Sequence, residues 1–159
     1  MKIIRQNKRN EAGFNLIELM IVIAIIALLI GVGVPAWQSM VKSGNETTAA
    51  QTLDKIKTLQ TQYAGGHGGK FAKTFPDLMK SSQDERFNQE KPLINGYNYE
   101  MKVTDPAGSN PAFFSVNADP QQDTGLQATG NRHFYTDSTL STIKVTDESR
   151  QAKADDNSL

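Results

Sequence analysis

The chain has 159 residues, no cysteine, and 17 basic side chains balanced by 17 acidic ones. That length carries one domain of ordinary size plus an appended segment. The missing cysteine excludes disulfide staples and thiolate metal sites.

The zero balance hides an asymmetry. Residues 1–13 hold Lys2, Arg5, Lys8 and Arg9 against Glu11, a net +3, which leaves residues 14–159 with 13 basic and 16 acidic side chains. Beyond residue 13 the chain is mildly acidic. No basic stripe remains there to make nucleic acid the main partner.

From Leu16 to Val34 the only charged residue is Glu18. As a helix this run spans about 28 Å, close to the thickness of a bilayer core. The basic residues lie on its N-terminal side, which places Met1 in the cytoplasm and the rest outside. A cleaved secretory signal would need small residues after the apolar run, and Gly31-Val32-Gly33-Val34-Pro35 makes a poor cleavage site. An uncleaved signal anchor explains the basic start and the span, but gives Glu18 no purpose. A carboxylate in hydrocarbon costs a few kcal/mol at least, so it calls for a partner. The nearby cation would be an amino terminus made by cutting between Gly13 and Phe14.

Gly13, Phe14, Leu16, Ile17 and Glu18 resemble the signature of the type IV prepilins and the pseudopilins of type II secretion. In that family a basic leader ends in Gly, followed by Phe, a Thr-Leu-Ile-Glu-like tetrad and an apolar run. Pro35 also falls where the family commonly has a proline. Asn15 departs from the pattern, since Thr is usual there. The resemblance covers the N-terminal part of the chain and loosens beyond it. It implies a membrane peptidase that cuts between Gly13 and Phe14 and N-methylates Phe14, a change that keeps the amine cationic. It further implies that Glu18 pairs with the Phe14 amine of a neighbouring subunit, which sets register between otherwise slippery apolar helices. The implied partners are copies of the chain itself, the prepilin peptidase and N-methyltransferase, an inner-membrane assembly platform driven by an assembly ATPase, and the membrane before assembly. The chain would sit in the bacterial inner membrane before assembly, and in an extracellular pilus or periplasmic pseudopilus afterwards. The leading expectation is a structural subunit of a type IV pilus-like filament. The alternatives are a pseudopilin of a type II secretion system and a signal-anchored periplasmic protein that never polymerises.

Gly31, Gly33 and Pro35 weaken the helix, because proline removes a backbone donor and glycine raises the cost of helical order. A kink at the membrane surface accounts for them; by resemblance to family filaments they also mark a segment that melts on assembly. Trp37 suits the interfacial belt. Met40, Val41, Ala49, Leu53, Ile56, Leu59 and Tyr63 then form a helical stripe, interrupted by a polar gap from Lys42 to Thr48. Gly44 is expected to bend this half. Four glycines around His67 end it.

Lys70 to Pro92 reads as a connection with a short helical turn at Phe75–Met79. Strands are expected at Tyr97–Val103, Phe113–Ala118, His133–Thr136 and Thr142–Val145, with Gln151–Leu159 a frayed tail. The fold class is therefore α+β: a long N-terminal helix, half membrane-spanning and half amphipathic, packed on a small antiparallel sheet. The divisions are a cleaved leader at 1–13, an assembly helix at 14–35, an amphipathic half at 36–64, a connecting loop at 65–92, a sheet at 93–147 and a polar tail at 148–159.

No nucleophile elbow or phosphate loop is present, so no enzyme and no cofactor are expected. Asp119, Asp123 and Asp137 are weak calcium candidates, suggested by the calcium sites of major pseudopilins. They lack an EF-hand spacing and read first as turn-forming aspartates.

Overall fold

The computed structural model describes residues 14–159, and the fold is α+β. Helix α1 spans Leu16–Gly66, α2 spans Phe75–Ser82, and a single 3-10 turn covers Glu85–Phe87. Six strands follow: β1 Leu93–Ile94, β2 Tyr97–Thr104, β3 Phe113–Pro120, β4 His133–Asp137, β5 Lys144–Thr146 and β6 Asn157–Ser158. They form one antiparallel sheet in chain order. Two compact units meet between Trp37 and Gln38.

In the first unit the apolar run is fully helical and unburied. Phe14 is 92% exposed, and Leu16 through Ile30 leave every large side chain open. Among the described residues nothing covers this surface.

The second unit has a core built on one face of the sheet. Tyr97, Tyr99, Met101 and Val103 alternate on β2 and meet Pro120, Ala118, Val116 and Phe114 of β3 across the ladder. Ala118 and Val116 in turn oppose Phe134 and Thr136 of β4. Ala49, Leu53 and Ile56 of α1 close this layer, with Phe75, Leu78 and Phe87 beside them. Leu59 and Tyr63 pack against it, but Met40 is 72% exposed and Val41 39%, so the stripe starts later than its spacing suggests.

Three further departures have physical causes. The connection after α1 contains a two-turn helix rather than one turn, because Thr74 caps it: its hydroxyl accepts from the Asp77 N–H at 3.3 Å and Pro76 occupies the first turn. A strand pair absent from the expectation, β1–β2, turns on Asn95-Gly96, both with positive φ (47° and 75°), the geometry of a tight hairpin. The C-terminal residues are docked, not frayed. β6 pairs with β5, Ala152 is buried, and its carbonyl accepts from the Asn117 side-chain amide at 2.9 Å. Two-residue strands therefore form both sheet edges.

Candidate assembly site and the polar clasps of the head

The first helical turn of α1 is held by a reciprocal cap. Asn15 Oδ1 accepts from the Ile17 N–H at 3.2 Å, while Glu18 Oε2 accepts a long 3.4 Å bond from the Asn15 N–H. This is half of a capping box: Glu18 reaches back to the Asn15 N–H, while the Asn15 side chain takes the Ile17 N–H and the Glu18 N–H goes to the Asn15 carbonyl. Asparagine is among the strongest N-caps, so the Thr-to-Asn departure leaves the turn intact. The arrangement also sets the Glu18 carboxylate at the positive end of the helix dipole. Gly13 lies outside the described residues; Phe14 is the first residue placed, immediately before the cap.

Gly31, Gly33 and Pro35 all lie within α1, which runs on as helix through each of them. No side chain approaches the two glycines, since a Cβ built on either meets nothing within 4 Å. Gly44 is likewise accommodated inside the helix.

The polar gap in the amphipathic stripe has a use that its spacing did not show. Asn45 donates to the Thr129 carbonyl at 2.8 Å. Glu46 is buried and accepts from the Asn131 backbone N–H at 2.9 Å and from Arg132 Nε at 2.8 Å. Lys42 reaches Asn131 Oδ1 at 3.3 Å. These residues clasp the loop between β3 and β4 to the helix. Tyr97 completes the clasp by donating to the Arg132 carbonyl at 2.8 Å, and its burial pushes the phenol upward in pKa. Gly130 passes so close to that phenol that an added Cβ would lie 2.0 Å from the oxygen. About four turns further along α1, Gln60 is fully buried. Its amide exchanges two hydrogen bonds with the backbone of Ala72, at 2.8 and 2.9 Å, as a strand neighbour would.

The three aspartates weighed for calcium do not converge. Asp137 is consumed locally: Oδ1 accepts from Thr139 N–H, Thr139 hydroxyl and Leu140 N–H, and Oδ2 accepts from Tyr135. These donors hold its carboxyl below the usual range although burial pushes the other way. Asp119 and Asp123 instead approach His133 from two sides, at 2.7 and 3.8 Å. Among the described residues no group of three or more His, Cys, Asp or Glu side chains forms a metal cage.

With the geometry described, the comparisons with known proteins fall into place. A family profile described as "Prokaryotic N-terminal methylation motif" matches residues 8–34. The chain is similar to prepilin peptidase-dependent protein D of Escherichia coli, 42% identical over 37% of this chain and 40% of that protein. It is similar to a type IV major pilin protein of Neisseria gonorrhoeae, 40% identical over 36% of this chain and 35% of the pilin. A fimbrial protein of Neisseria meningitidis matches at the same identity over 36% of this chain and 34% of its own length. The chain thus spans well under half the length of the curated relatives it matches, and no solved structure matches it. Residues 8–34 carry the N-terminal methylation motif, and over its N-terminal third the chain is similar to a prepilin peptidase-dependent protein and to type IV pilins. Its N-terminal segment is that of a pilin-type subunit.

Proposed function

We propose that the chain is a structural subunit which, once cut between Gly13 and Phe14, polymerises through its apolar helix into a type IV pilus-like filament. The observation that carries this reading is the uncovered run from Phe14 to Ile30, bearing one carboxylate in its first turn. It is long and apolar enough to cross a bilayer. An isolated subunit rests there as a membrane anchor, with its N-terminus cytoplasmic. On assembly, like helices from other subunits replace lipid. The relatives' names, type IV pilin and fimbrial protein, support a pilus over a secretion pseudopilus. No catalytic step is assigned to the chain; it is the substrate of the processing peptidase and N-methyltransferase, and the cargo of an assembly platform with its ATPase.

This cap gives Glu18 two successive partners. Before assembly its carboxylate serves the Asn15 N–H of its own chain, which reduces the cost of holding it in the bilayer. In the filament it exchanges this long bond for the methylated amine of Phe14 on a neighbour, a contact between two full charges. Gly31, Gly33 and Pro35 supply the low-propensity stretch that yields when helices pack.

The test is genetic and direct. Gly13→Ala leaves the full-length chain in the membrane, whereas normal maturation of this variant would remove the processing step. Glu18→Ala is processed but yields few sheared filaments; abundant filaments would remove its role in register. Hydrogen exchange on filaments finds residues 31–34 poorly protected, and alanine at Gly31, Gly33 and Pro35 together restores protection.

A further inference from the structure

One polar cluster on the outer face of the sheet is not used by the assembly reading. His133 of β4 is buried, 7% exposed, and its Nδ1 lies 2.7 Å from Asp119 Oδ1 on β3. The other oxygen of Asp119 accepts from Gln151 Nε2 at 2.9 Å. Asp119 is thereby committed as an acceptor and Nδ1 as a donor. In the neutral ring this tautomer leaves a lone pair on Nε2. That atom is buried and has no hydrogen-bond partner among the described residues. It faces Asp123 Oδ2 at 3.8 Å, beyond hydrogen-bond length.

In that tautomer two electron-pair donors face each other across a 3.8 Å gap that an electrophile would bridge. Bonds of about 2.0–2.2 Å to an imidazole nitrogen and a carboxylate oxygen together exceed the 3.8 Å gap, and a tetrahedral angle between them needs it to close to about 3.4 Å, a small shift of Asp123. Asp123 is free to make it, since it sits on the loop with its side chain 31% exposed. A carboxylate on the far nitrogen of a histidine is the usual support of a metal-binding imidazole.

We propose that His133 Nε2 and Asp123 bind a divalent transition-metal ion, zinc being the best fit, with Asp119 as the orienting carboxylate. Nitrogen ligation disfavours calcium and magnesium, which take oxygen shells. With two protein ligands, water completes the coordination sphere and the site is a weak one. The ion fastens the β3–β4 loop to the sheet at the end opposite the Glu46 clasp. It leaves the reading of the N-terminal helix untouched.

Titration calorimetry of the full-length protein in detergent micelles provides the test, with zinc chloride and calcium chloride as separate probes. One zinc per chain is expected, and no calcium heat at the same concentrations. His133→Gln and Asp123→Asn each weaken zinc binding at least tenfold, Asp119→Asn weakens it between about tenfold and a hundredfold, and His67→Ala leaves it unchanged. Asp123→Asn sits on an exposed loop and keeps the test valid should the His133 variant misfold. Absence of zinc binding, or zinc binding indifferent to Asp123, would overturn the proposal. So would a long-range ¹H–¹⁵N spectrum showing Nε2 protonated at neutral pH with zinc present, since a proton would then fill the gap.

Discussion

Arg150 shows how far a single side chain secures this cysteine-free head. It grips Asp156 through Nη2 at 2.5 Å and Nη1 at 2.8 Å, and Glu148 through Nε at 2.5 Å. The paired guanidinium holds the Asp156 carboxyl down at about 2. The linkage has a definite sign. A depressed carboxylate contributes stability above its unfolded pKa near 3.9, and loses it as pH falls toward about 2. Protection of the 150–158 backbone amides should therefore decline between about pH 4 and 2, and Arg150→Gln should weaken that pH dependence, leaving the part due to the Lys153 N–H. Because both groups are solvent-screened, the effect belongs to the tail and not to global stability. Two buried contacts act more strongly. Gly130→Ala drives a methyl into the Tyr97 phenol and should cost about 1–3 kcal/mol in denaturant unfolding. Glu46→Ala strips the Asn131 N–H and Arg132 of their acceptor and should cost about 1–3 kcal/mol. A Glu46→Ala head as stable as the parent would show that the clasp contributes nothing.

At the scale of elements, legibility followed the strength of the local signal. The apolar run, the alternation of β2 and the glycine stop after α1 each rest on a period or a breaker, and each has its element in the structure. Asn95-Gly96 is an equally plain hairpin signal, overlooked because the strand before it is two residues long. The stripe on α1 misled at its start. Met40 and Val41 fit the spacing but face open space, while Glu46, Thr52 and Gln60 are polar and buried. Periodicity counts apolar residues, so a polar side chain buried to hold a loop is invisible to it. The same limit hid the C-terminal dock, where Asn117 and Gln151 draw a polar segment onto the sheet. Leu53→Ala tests the part that periodicity did find: a fully buried leucine lost from α1 should cost about 2–5 kcal/mol.

At the scale of the molecule, the two units divide the work. The N-terminal unit carries the methylation motif, the similarity to the relatives and the single carboxylate of the apolar run, and all of this was legible in the sequence because the chemistry is local. The head, residues 38–159, carries long-range contacts that no spacing announces, such as Glu46 with Arg132 and Asp119 with His133. Its core side chains are buried within the head, whereas the apolar helix has no cover among the described residues. That imbalance is the physical reason to expect self-association.

The most direct measurement is an electron-cryomicroscopy map of filaments sheared from cells expressing this chain. The account predicts an ordered polymer whose subunits begin at an N-methylated Phe14, with each Glu18 carboxylate against the Phe14 amine of an adjacent subunit. A map with that carboxylate in solvent, or cells that process the chain and build no polymer, would contradict it.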